Sequence, residues 1–142
     1  MMIPLIAYMA HPLADFEGTT RAEHIARAKR WMQWLTETFE VAITANWILI
    51  AEFWPESDEH RTRGLEFDTL HATSANLMFL VGGRVSGGMS IEKAAVEEAG
   101  GVILDLTAFG AEPPTDEMLD SEARVMLGAM KQTLREAAAG DA

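Results

Sequence analysis

Apolar and polar positions along the chain fall into two rhythms that take turns. Residues 3–9 are a short apolar run ending at His11-Pro12, the pattern of a buried strand that runs into a loop. Over residues 20–40 the spacing changes. Ile25, Ala28, Met32, Leu35 and Phe39 recur at three- and four-residue steps, which predicts a helix with one core-facing stripe and Thr19 or Thr20 as its N-cap. Trp31 and Trp34 flank that stripe, a position that suits either the core or a subunit interface. Residues 41–45 read as a second strand, and 47–54 as an apolar segment of open type closed by Pro55. A helix is predicted over 57–74, with Ser57 as cap and Asp58 and Glu59 in its first turn, where the helix dipole favours acids.

Residues 77–81 are a buried strand, 82–88 a glycine-rich loop, and 89–99 a helix stopped by Gly100-Gly101. A fourth strand follows at 102–106. Pro113-Pro114 then precedes a last helix over about 116–138, with Leu119, Ala123, Met126 and Met130 on one face. Strands alternating with helices imply a parallel sheet covered on both faces. The expected fold is therefore one α/β domain spanning residues 1–142, doubly wound in the flavodoxin or Rossmann-like manner.

Composition narrows the function classes. A chain of 142 residues with 49% apolar content can bury a core, and the absence of cysteine excludes disulfides and thiolate chemistry. The apolar start is too short for a membrane span and lacks the basic flank of a signal peptide, so a cytoplasmic protein without a membrane partner is expected. The net charge of −11 argues against a nucleic-acid polymer as partner. Arg21, Arg27, Lys29 and Arg30 do gather on the first long helix, where a solvated face is the expectation. Four scattered histidines give no metal-ligand spacing, so neither a metal nor an organic cofactor is expected.

Ligands in such sheets bind beyond the carboxyl ends of the strands, near the reversal of strand order. The loop at 82–88 joins a strand to a helix N-terminus, a natural place for an anion, although its glycines match neither a Walker loop nor the dinucleotide fingerprint. On the following helix Ile91, Ala94, Ala95, Val96 and Ala99 form an apolar arc, and Glu92 falls inside it. An inward carboxylate must be paired, hydrogen-bonded or functional, so Glu92 is either a structural ion pair or dipole partner, or a reactive group. The periodicity leaves the direction of Asp68 open. Tyr8, the only tyrosine, ends a buried strand and needs a partner for its hydroxyl.

Two phrases, Tyr8-Met9-Ala10-His11-Pro12 and Ser86-Gly87-Gly88-Met89-Ser90-Ile91-Glu92-Lys93-Ala94-Ala95, resemble the signatures of the nucleoside 2-deoxyribosyltransferase-like family, which includes 2'-deoxynucleoside 5'-phosphate N-hydrolase-like members. That family reads Tyr-Ile-Ala-Gly-Pro after its first strand, then a glycine loop with Ser or Asp leading to a Glu near a helix start. Asp68, eight residues before Asn76, matches its intervening acid, and the resemblance covers residues 3–106. It implies that Glu92 is a nucleophile forming a covalent glycosyl intermediate, Asp68 an acid near the leaving base, and Tyr8 the holder of the nucleophile. Ser86, with Gly87, Gly88 and Arg84, would meet the sugar's 5' end, where Ser in place of Asp points to a 5'-monophosphate.

Three positions depart from the family pattern. His11 stands for Gly beside the sugar pocket, and His24 for Asn, with a surface place on its helix expected for it. Asn76 stands for Asp. The expected activity is cleavage of the N-glycosidic bond of a nucleoside or its 5'-monophosphate, hydrolysis ahead of deoxyribosyl transfer between bases. A non-catalytic nucleotide sensor is the alternative, and the family implies a homo-oligomer of two or more copies.

Overall fold

The computed structural model describes residues 3–14, 16–75 and 77–140. Asn76 lies outside them. The strands β1 (Ile3–Ala10), β2 (Val41–Thr44), β3 (Leu77–Leu80) and β4 (Val102–Asp105) form one sheet in the order β2-β1-β3-β4. Every pairing in it is parallel. Helices α1 (Arg21–Phe39), α2 (Trp47–Phe53), α3 (Asp58–Ser74), α4 (Gly87–Glu98) and α5 (Ser121–Gly140) complete the chain. The chain moves from β1 to β2 in one direction and from β1 to β3 and β4 in the other. Right-handed crossovers then place α1 on one face and α3 and α4 on the opposite face. The domain is thus α/β and doubly wound, with its switch point between the ends of β1 and β3.

Local sequence explains where the elements begin and stop. Thr20 caps α1 with a reciprocal box. Its hydroxyl accepts from the Glu23 N–H at 3.2 Å, and the Glu23 carboxylate accepts from the Thr20 N–H at 3.1 Å. The helix ends at Glu40, which sits in the left-handed region at φ 54°. Ser57 caps α3 through the His60 N–H, as expected. Four consecutive residues of β3 are fully buried, as the centre of a sheet covered on both faces requires.

The structure settles some open readings and corrects others. The segment of open type forms the short helix α2 (Trp47–Phe53), which Trp47 ties to the sheet by donating its indole N–H to the Met9 carbonyl at 2.9 Å. The glycine loop is shorter than expected, because Gly87 and Gly88 already form the first turn of α4. The last helix starts later, after a single 3-10 turn at Asp116–Met118, and it buries Leu127 and Leu134 while Met126 faces outward. Trp31 is wholly buried and donates to the Ala111 carbonyl at 2.7 Å, and Trp34 packs edge-on against it, so this pair belongs to the core. His24 is buried as well. The cations of α1 are paired: Arg27 and Arg30 share Glu112, Lys29 meets Glu52, and Arg21 reaches Glu56. Among the described residues no helix is long and apolar enough to cross a membrane.

Candidate active site

A cavity of about 300 Å³ opens at the carboxyl ends of β1 and β3, walled by α2, α3 and the start of α4. Tyr8, His11, Asp68, Ser86, Gly87, Gly88 and Glu92 all line it. The sequence points to these residues in three separate stretches, and the doubly wound topology brings them to one place.

Glu92 is the centre of this cavity. It lies on the second turn of α4 and is 6% exposed, with Met89 and Val96 buried on the same face. Ile91 is 51% exposed, so the buried arc is rotated from the one the apolar residues suggest, with Glu92 still inside it. The Tyr8 hydroxyl donates to Glu92 Oε2, and no basic side chain pairs with this carboxylate among the described residues. Burial raises the Glu92 pKa to about 7; the Tyr8 hydrogen bond opposes the shift, and the nearby Asp68 adds to it. Tyr8 is pushed well above its usual value by burial and by the two carboxylates, which keeps it a proton donor at any physiological pH.

Asp68 projects from α3 toward the same cavity, and burial raises its pKa to about 7. Its direction is now explained. Ser57, Arg61, Gly64, Leu65 and Asp68 line the cavity at three- and four-residue steps, so α3 presents a ligand-facing wall along its length. Ala72 is the only fully buried residue of α3, which is why its apolar periodicity carries no direction. Gly64 lies in the middle of that wall, and a Cβ there would meet no atom within 4 Å. A mid-helix glycine costs about 1 kcal/mol relative to alanine. Here it keeps the cavity floor clear.

Ser86 caps α4, its hydroxyl accepting from the Met89 N–H at 3.3 Å. The cap leaves the hydroxyl proton free for a ligand, and Gly87 and Gly88 supply the first N–H groups of the helix at the same wall. At the mouth, Arg61 meets Glu56 at 2.9 Å, and Arg21 lies 3.9 Å from the same carboxylate.

His11 fits its unusual place by a specific match. Its ring is nearly parallel to Trp47, at 6.5 Å and 15°, and its Nδ1 donates to the Pro12 carbonyl at 2.6 Å. A Cβ on Gly82 would lie 2.7 Å from the His11 ring, so the bulk gained at position 11 is matched by a bare backbone at position 82. Burial holds the His11 pKa down to about 4, so the ring is neutral.

Arg84 is not in this cavity. Its guanidinium lies 3.8 Å above the Phe16 ring and lines a second depression on the other side of His11. Sequence reasoning missed Trp47, Trp54, Arg61 and Gly64 as cavity residues. Trp54-Pro55 closing an apolar segment and a glycine inside a capped helix are the signals that point to them. Comparison with protein-family models, characterised proteins and solved structures yields no match to this chain.

Proposed function

We propose that the cavity binds a nucleoside or its 5'-monophosphate and hydrolyses the N-glycosidic bond through a covalent glycosyl–Glu92 intermediate. One observation carries the reading: Glu92, held by the Tyr8 hydroxyl and without a cation partner among the described residues, shares a buried cavity with a second carboxyl group, Asp68. A buried structural carboxylate is normally paired with a cation; this one has the Tyr8 hydroxyl as its hydrogen-bond donor, no cation among the described residues, and a face on the cavity.

The chemistry balances with these groups. Ionised Glu92 attacks the anomeric carbon; the bond from that carbon to the base nitrogen breaks, and the base leaves with the electron pair. Protonated Asp68 supplies the proton that the base takes. Water then attacks the same carbon, Asp68 accepts a water proton, and Glu92 departs as a carboxylate. Burial raises both carboxyls, and the Tyr8 hydrogen bond favours the ionised form at Glu92 alone, which suits Glu92 to attack and Asp68 to carry the proton.

Trp47, Trp54, Ile50 and Leu65 give the cavity the apolar, partly aromatic wall that suits a planar base. The free N–H groups of Gly87 and Gly88, with Ser86, suit a 5'-phosphate. Transfer to a second base would use the same intermediate. The test is incubation with a panel of nucleosides and their 5'-monophosphates, followed by chromatography for free base, with and without a second base as acceptor. Release that Glu92→Gln abolishes supports the reading; an unreactive panel, or release that survives the substitution, ends it.

A further inference from the structure

We propose that the second depression, on the far side of His11 from the cavity, is a binding site for a small oxyanion of the phosphate class. It is a shallow recess of about 270 Å³ formed by α1, the loop at 82–84 and the backbone at 110–111. Two arginines make it basic, and a buried histidine lines it beside them. His24 is only 3% exposed and donates its Nδ1 proton to the Leu13 carbonyl at 3.1 Å, which leaves Nε2 without a partner among the described residues. Arg27 commits its Nε to Glu112 at 3.1 Å and keeps its terminal nitrogens. Arg84 has no carboxylate partner among the described residues, and its guanidinium is held flat on Phe16.

The backbone adds donors. Gly82 and Gly83 both have positive φ, at 99° and 84°, and the N–H groups of Gly83 and Arg84 engage no acceptor among the described residues. Gly83 cannot be replaced without moving the wall, since a Cβ there would lie 2.9 Å from the Ala111 nitrogen. Gly83 and Arg84 line the recess, so their unengaged N–H groups are available donors there, and arginine guanidinium groups suit oxyanion geometry.

Among the described residues two carboxylates bear on the site. Glu112 is already shared between Arg27 and Arg30, and Glu17 lies at the rim. Neither pairs with Arg84. In a chain of net charge −11, an arginine with no carboxylate partner among the described residues, beside a buried histidine, suits an anionic ligand. The site stands whether or not the neighbouring cavity cleaves a glycosidic bond.

The phosphate can be free or can belong to a nucleotide that reaches past His11. Both cases are read by nuclear magnetic resonance on the full chain, following backbone amides and arginine Nε–H signals while inorganic phosphate is added at constant ionic strength. The expected result is saturable shifts at Gly83, Arg84 and Arg27 in the millimolar range. Arg84→Gln should weaken them by roughly tenfold or more, the loss of one charge-assisted contact. Arg84 makes no side-chain hydrogen bond or ion pair among the described residues and stacks on Phe16, so this variant should keep the remaining spectrum.

A nucleoside 5'-monophosphate is then added. Displacement of inorganic phosphate from Gly83 and Arg84 assigns the site to a nucleotide's phosphate; shifts at Gly87 and Gly88 that leave the Gly83 signals bound assign it to the free ion. Three outcomes overturn the proposal: no saturable shift at Gly83 and Arg84, shifts confined to Gly87 and Gly88, or an Arg84→Gln variant that binds phosphate as tightly as wild type.

Discussion

At Glu92 the demands of stability and of reactivity oppose each other. Its pKa in the folded chain is raised from 4.5 to about 7, so folding favours the protonated form. Stability from this group is therefore fully present below about 4.5 and is lost as pH rises through about 7, a loss on the order of a few kcal/mol. Glu92→Gln keeps the shape and an acceptor for Tyr8 but cannot ionise. It should unfold at nearly the same denaturant concentration as wild type at pH 5 and at a clearly higher one at pH 8. Equal midpoints at both values would mean that Glu92 is more solvated than its burial indicates.

Tyr8→Phe removes the donor and leaves the ring; it should lower turnover while substrate affinity holds, and an unchanged rate would make Tyr8 a core residue only. Gly64→Ala should do the reverse of most cavity substitutions. It removes a mid-helix glycine and so should raise the melting temperature by about 3 °C, from roughly 1 kcal/mol. Its methyl group would also stand in the cavity and should raise KM. A variant with higher stability and unchanged KM would show that substrate does not lie over α3.

At the scale of the element, Ser86 holds two roles that substitution can part. As N-cap of α4 it is worth about 1 kcal/mol, which Ser86→Ala should cost in a denaturation curve. Aspartate caps a helix equally well, so Ser86→Asp should retain stability and yet repel a phosphate. The specificity constant for a 5'-monophosphate should fall relative to that for the free nucleoside. An unchanged ratio leaves Ser86 as a cap alone.

The elements also show what the sequence could and could not reveal. Alternating strands and helices, the caps at Thr20 and Ser57, and the inward place of Glu92 were legible because each follows from local rules of period or capping. The direction of Asp68 was not, since α3 buries a single residue and turns its other face to a cavity. His24, expected at the surface, was misplaced for a related reason, and Trp31 was left open between core and interface. A polar or amphipathic side chain on a helix edge is met here by loop backbone, His24 at the Leu13 carbonyl and Trp31 at the Ala111 carbonyl, which no helical period reports.

At the scale of the molecule, the acidity of the chain and the local chemistry of its cavity act at different ranges. A net charge of −11 slows the approach of anions, and salt screens it beyond about 10 Å at 0.1 M. Salt should therefore raise kcat/KM for a 5'-monophosphate while leaving that for the free nucleoside nearly unchanged. Equal responses would place the phosphate outside the protein's field.

The account rests most heavily on Glu92 as the atom that takes the sugar. The direct measurement is intact-protein mass spectrometry after acid quench of a reacting mixture, with peptide mapping of any adduct. The account predicts a mass gain equal to one glycosyl residue, located on Glu92 and absent from Glu92→Gln. Free base released without any adduct, from wild type and Glu92→Gln alike, would contradict it.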